Sequence, residues 1–304
     1  MPDVIADVLS WLRQVTPVEV KAYYWAAQGI YLNPWFWAFT IGILCWERLQ
    51  PADPNQAVLS RGLAQDFVWF NADAAFKVAA LPAVAGGFHL LYDQLTGGYR
   101  LALMDGWAIG AKVFVAFLAF DFLQWFHHWV RHKVVAFWHF HAIHHSQRQL
   151  NVFTDLRVHA GEYVISEALV FIPMIALGMT PYAVMGVGAL RWWYTRLIHA
   201  NIRSNFGPLR HILVTPQFHR VHHSIEDRHR DRNFGVVLSV WDRLCGTLYP
   251  RYDEYPATGV SDVDFEPPRT LSPLAWAGDY GRQLWYPFGR LLARRPPAGP
   301  SAGA

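Results

Sequence analysis

Between residues 107 and 129 the chain is one apolar run in which only Lys112 and Asp121 are charged, and it ends on a pair of histidines and a tryptophan. About 20 apolar residues suffice for a helix to cross a bilayer, so this run is long enough to span. Other apolar residues are bunched in the same way, at 33–46, at 76–92 and at 163–200. The last block is broken at Thr180-Pro181 and reads as two helices in an antiparallel hairpin. With 53% hydrophobic residues, only 16% charged and 15 tryptophans in 304, the chain is too apolar for ordinary soluble domains and reads as one membrane-embedded unit.

Local signals refine these segments. Asn33 followed by Pro34 is a helix start, a side-chain cap with proline in the first turn. Pro82 and the pair Gly86-Gly87 are expected to bend the second segment. Arg48, Arg61 and Lys77, then Arg131, Lys133 and Arg148, then Arg203 and Arg210 fall between or after alternate segments. Alternate crossings put all of them on one side, which the positive-inside rule makes cytoplasmic. Residues 1–15 lack the pattern of a secretory signal peptide. The stretch LSPLAWAGDYGRQLWYPFGRLLARR suggests a helix lying among lipid headgroups, with a disordered tail after it. The net charge of +3 argues nothing about nucleic acid, and Cys45 and Cys245 form no metal or disulfide pattern.

Histidine is therefore the residue left to bind something. Three clusters stand out: HWVRH (His128, His132), HAIHH (His141, His144, His145) and HRVHH (His219, His222, His223). Spacings of three and four place rings on one helical face, so each cluster can aim its nitrogens at a common point. Solvated interfacial histidines are the plain alternative, but two copies of HxxHH in one chain argue against it. Eight imidazoles exceed the coordination of one first-row ion, so two ions are implied, and imidazole suits iron, zinc and copper alike.

Residues 117–249 resemble the fatty acid hydroxylase/sterol desaturase superfamily of integral-membrane, histidine-box di-iron proteins. The resemblance rests on Asp121 with WFHHWVRH, FWHFHAIHHSQRQLNVFTDLRVHAGE, LIHANI, TPQFHRVHHSIEDRHRDRNFG and WDRLCGTLY. It implies an all-α multi-pass protein with about four transmembrane helices and a cytoplasmic, helical, histidine-rich metal-binding cap. It assigns ligand roles to the eight box histidines and implies one for His199. Asp121 is expected to accept a hydrogen bond from a ligating imidazole, His159 to support the ligands from outside or to ligate directly, and Asn233 to support the ligands or face the substrate. His89, His127, His139, His211 and His229 match no box. Two departures stand out. Trp125-Phe126 and Trp129 replace the usual residues around the first box, and Thr195 replaces a partner histidine four residues before His199.

The expected organisation is N-terminal membrane helices over 1–112, a di-iron core over 113–250 and an interfacial C-terminal segment over 251–304. The expected activity is O₂-dependent hydroxylation of a lipid C–H drawn from the bilayer, using two non-haem iron ions, with lipid desaturation on the same centre as an alternative. No GxGxxG follows a strand and no haem-binding domain is appended, so electrons must come from a separate reductase with a ferredoxin or cytochrome. The basic residues Arg210, Arg220, Arg228 and Arg230 are the expected docking site, with contact to anionic lipid headgroups as the alternative role for them. A metal transporter would place its histidines along the spans, and a zinc-dependent membrane hydrolase would need a general base of the HExxH kind, which is absent. The expected location is a membrane, the inner membrane if bacterial, with the site facing the cytoplasm.

Overall fold

The computed structural model describes residues 33–101, 104–179, 181–261 and 263–293. The expectations for the N-terminal 32 residues and for the tail lie outside them. Among the described residues the chain is all-helical, with isolated β-bridges in place of strands.

Helix α1 (Pro34–Leu49) begins as expected: the Asn33 side chain accepts from the Trp35 amide and Pro34 sits in the first turn. The second segment departs from the expectation of one bent helix. It straddles α2 (Arg61–Ala79) and α3 (Leu81–Thr96), which are separated at Ala80, just before Pro82. Proline cannot donate to the preceding turn, so a chain entering it from a helix tends to stop and restart. Helix α4 (Ile109–Lys133) runs through the apolar stretch and the whole first histidine box. Among the described residues it is the one helix long and apolar enough to cross a membrane by length and composition.

Val134 alone separates α4 from α5 (Val135–His145), so the first and second boxes fold onto each other. The expected hairpin has an irregular first arm: α6 (Ala160–Ser166), a π-helical turn at Glu167–Phe171, and α7 (Ile172–Ala176) with Pro173 in its first turn. The wide turn absorbs the backbone misfit that proline imposes. The second arm, α8 (Pro181–His199), returns to the histidine region. The remaining helices are α9 (Pro216–His222), α10 (Val240–Leu244) and α11 (Pro273–Leu292).

The end of α5 is fixed by a polar core. Asp66 of α2 accepts from Arg157 Nη1 at 3.0 Å, Gln147 Nε2 at 2.7 Å, Asn151 Nδ2 at 2.8 Å and Thr154 Oγ1 at 2.6 Å. Arg157 also donates to the Ile143 carbonyl, inside the second box, and to Gln283 of α11. Asp66 and Arg157 are both fully buried, so each depends on the other for its charge to be tolerable. Asp66→Ala leaves the guanidinium uncompensated and should destabilise the protein by roughly 3–5 kcal/mol. Thermal or denaturant unfolding in detergent checks this, and an unchanged midpoint contradicts it.

Candidate metal centre

The four elements that meet at α5 bring together nine histidines. His128 and His132 come from the last turns of α4, and His141, His144 and His145 from α5. His199 ends α8, while His219, His222 and His223 come from α9 and its C-cap. Thr215 caps α9 by accepting from the Phe218 amide, with Pro216 in the first turn, so this short helix starts at a defined place.

The rings sort into two groups whose ligand atoms lie within 4.8 Å of one another: His128, His132, His141, His145 and His222 in one, His144, His199, His219 and His223 in the other. Each HxxHH box divides in the same manner. Its i and i+4 rings serve one group and its middle histidine serves the other, because residues three apart point about 60° away from each other around a helix. The groups abut: the rings of His145 and His223 stack with centroids 4.3 Å apart. These are the nine histidines that the boxes and LIHANI single out.

Hydrogen bonds determine which nitrogen faces inward. Nδ1–H of His128 donates to the Phe234 carbonyl at 2.9 Å, that of His222 to Arg232 at 2.8 Å, and that of His199 to Thr195 at 2.6 Å. A neutral imidazole has one donor and one acceptor, so Nε2 of each carries a lone pair. Those Nε2 atoms crowd others. His199 Nε2 lies 3.1 Å from His144 Nε2 and 2.8 Å from His219 Nε2, and His222 Nε2 lies 3.1 Å from His145 Nε2. His128 Nε2 and His141 Nε2 are buried with no hydrogen-bond partner, as are the Nδ1 atoms of His144, His219 and His223.

Protonation does not relieve the crowding. Burial, reinforced by the neighbouring imidazoles and, for His141, His144 and His222, by Arg131, holds His141, His144, His145, His219, His222 and His223 below their ordinary value of 6.5. Convergent, neutral, buried nitrogens are the donor set of a transition metal, and a cation in each group turns facing acceptors into ligands. The residues present therefore fit two metal ions.

The expectation for Asp121 needs correction. Its carboxylate accepts from the amides of Val237 and Leu238 at 3.1 and 3.0 Å and from Trp241 Nε1 at 2.9 Å, and it touches no imidazole. It clamps the loop whose Phe234 carbonyl orients His128, so it acts at one remove. Asp242 grips the same loop through the Phe234 and Gly235 amides at 2.8 and 2.7 Å. At Gly235 an added Cβ would come 2.8 Å from both the Leu238 carbonyl and Asp242, so glycine is required there. Asn233 adopts a left-handed conformation (φ 63°) and donates to the Phe218 carbonyl, inside the helix that carries the third box.

His159 also departs from expectation. It contacts the Leu284 carbonyl and the Gly161 amide, packs on Phe140 and Phe288, and joins neither group. The carboxylate that does hold a box histidine is Glu162, three residues on: its Oε2 accepts from His141 Nδ1 at 2.9 Å and pairs with Arg131. The sequence offered a signal in RVHAGE, where the acid stands on the first turn of a helix. The histidines outside the boxes stay outside both groups. His127 contacts Ser166, His139 packs near Tyr286, and His229 contacts Ser224 and Glu254. His89 pairs with Asp93, and His211 meets Arg243. Arg220 is buried and donates to the Pro256 carbonyl and Asn201, so it is not available to a docking partner.

Residues 113–247 match the fatty acid hydroxylase family. Over this segment the chain is similar to that family. Among its relatives, ornithine lipid hydroxylase OlsE of Rhizobium tropici is 32% identical over 145 residues, covering 48% of this chain and 44% of that protein. Alkylglycerol monooxygenase of Homo sapiens is 34% identical over 157 residues, covering 52% and 35%. Very-long-chain aldehyde decarbonylase GL1-5 of Oryza sativa subsp. indica is 23% identical over 244 residues, covering 72% and 36%. The matches span less than half the length of each relative. No solved structure matches the chain.

The core that matches the hydroxylase family places a carboxylate behind His141, and removing such a partner typically weakens metal binding about 10–100-fold. Glu162→Ala is expected to do so, with Glu162→Gln losing less because an acceptor oxygen remains. Chelator competition measures it. Unchanged affinity in the alanine variant would show that Glu162 does not orient a ligand.

Proposed function

We propose that this chain is an O₂-dependent lipid hydroxylase using a non-haem di-iron centre held by His128, His132, His141, His144, His145, His199, His219, His222 and His223. One observation carries the reading: both HxxHH boxes divide between two abutting all-histidine groups, inside the segment that matches the fatty acid hydroxylase family. Relatives named ornithine lipid hydroxylase and alkylglycerol monooxygenase support a lipid as the substrate. When bound, the two irons supply the electrons that split O₂ for attack on an unactivated C–H bond.

The protein's own part is to orient and to keep dry. The carbonyls of Phe234, Arg232 and Thr195 and the Glu162 carboxylate hold four rings with Nε2 inward. Phe234 packs against His128, His132 and His222, and Trp138 against His132 and His145, which walls one group with aromatic carbon. A water-poor pocket strengthens each electrostatic contact inside it.

We assign the chain to a membrane, with α4 as a crossing and about four crossings in all. The histidine-rich cap lies on the cytoplasmic side, and the divisions are 1–112, 113–250 and 251–304. Helix α11 supports the interfacial role of the last part. It turns Asp279 and Gln283 inward to Gln65 and Trp69, and leaves Leu274, Trp285, Leu291 and Leu292 exposed. That is the inverse of a soluble helix and suits a lipid surface. A separate electron donor, a ferredoxin or cytochrome with its reductase, is assigned to the exposed arginines Arg228 and Arg230.

The test is product formation from membrane lipid extract supplied with O₂ and a reducing system. The full-length protein should give a hydroxylated lipid only when both are present, and His144→Ala and His222→Ala, one from each group, should each abolish it. Product without O₂, or full activity in both variants, would sink the proposal. An unsaturated product would move it to desaturation.

A further inference from the structure

Among the unpartnered buried polar atoms of the described residues, two sets stand out. One is the set of histidine rings. The other lies along α8, one to two turns before His199, and no metal ligand accounts for it.

Arg196 is fully buried, and its Nε, Nη1 and Nη2 all lack hydrogen-bond partners. Its guanidinium is sandwiched between Phe36 and Trp192, 4.2 Å from each ring centroid. These faces satisfy the cation's π surface and leave its N–H edges unanswered. The nearest carboxylate, Asp155, stands off at 3.7 Å from Nε, beyond hydrogen-bond distance, and its Oδ1 has no partner either. Trp192 Nε1 and Arg191 Nε are buried without partners as well. Five N–H-bearing nitrogens against one carboxylate oxygen is a surplus of donors.

Buried polar groups are almost always paired, and ionisable residues in apolar segments mark functional sites by default. What would satisfy this set is a group made of acceptor oxygens carrying negative charge. Arg196 lies three residues before His199 on α8, about 4.5 Å back along the helix axis, so the set is within a turn or two of the histidine groups.

We propose that Arg196, Trp192 and Arg191 form a subsite for the anionic oxygens, carboxylate or phosphate, of a lipid whose chain is presented to the metal centre. This rests on the reading of the centre as one that acts on lipid. Arg196 makes the main contact, because it is the guanidinium whose whole donor set is free. Asp155 limits the charge the subsite tolerates.

The experiment is direct binding to the full-length protein in detergent, followed by quenching of tryptophan fluorescence with brominated chains of equal length. The chains end in a carboxylate, a phosphate, an alcohol or a methyl group. The wild type should bind the two anions at least about tenfold more tightly than the methyl-ended chain, a charge-assisted hydrogen bond being involved. The two anionic arms then say which source is preferred. Arg196→Met should remove that preference while keeping its metal content, and Asp155→Asn should tighten both anions. Equal binding of all four chains by the wild type would overturn the proposal even if Arg196→Met failed to fold, and so would an undiminished preference in that variant. Anion preference without any lipid oxidation would leave the subsite standing and sink the hydroxylase reading instead.

Discussion

Nine buried imidazoles converge in two groups, their nitrogens close enough together that one positive ion in each would meet several lone pairs at once. The structure places His199 Nε2 within 2.8 Å of His219 Nε2, and the ring's other nitrogen is committed to a carbonyl, so the lone pair cannot turn away. Much of the architecture serves that convergence. A one-residue joint folds box one onto box two, α8 returns a lone histidine to the same point, and a seven-residue helix with a threonine cap delivers the third box.

The supports are as specific as the rings. Asp121 and Asp242 come from helices more than 100 residues apart in sequence, yet both grip the loop after Asn233, which supplies the Phe234 carbonyl that fixes His128, while Arg232 just before it fixes His222. Asp66 and Arg157 do the equivalent work beneath box two, and Arg157 donates to a carbonyl between His141 and His144. Carboxylates in this protein mostly act on backbone amides and arginines. Among the described residues only Glu162 brings a carboxylate to a ring of either group closely enough for a hydrogen bond.

Spacing made the ligand set legible. The number of imidazoles, more than one ion can hold, implied two positions, but the spacing was read as aiming each box at one point, and only the structure shows each HxxHH dividing its rings between the two groups. The helical class and the start of α1 were legible for similar reasons, as local signals with short-range causes. What escaped was long-range. Nothing in the order of residues says that Asp121 would meet amides 116 residues away, or that Glu162 rather than His159 would turn toward His141. Arg220 reads as one more surface arginine until Asn201 and the Pro256 carbonyl close over it. The single long segment expected at 76–92 failed because hydropathy does not register the helix break that Pro82 causes at Ala80.

The most direct test of this account is the iron content of the purified full-length chain, expressed with iron supplied, with and without one group intact. Two groups of nitrogens predict two irons per chain, and loss of about one when His128 or His219 is replaced by alanine. A single ion in the wild type, no metal, or stoichiometric zinc that iron does not displace would contradict it.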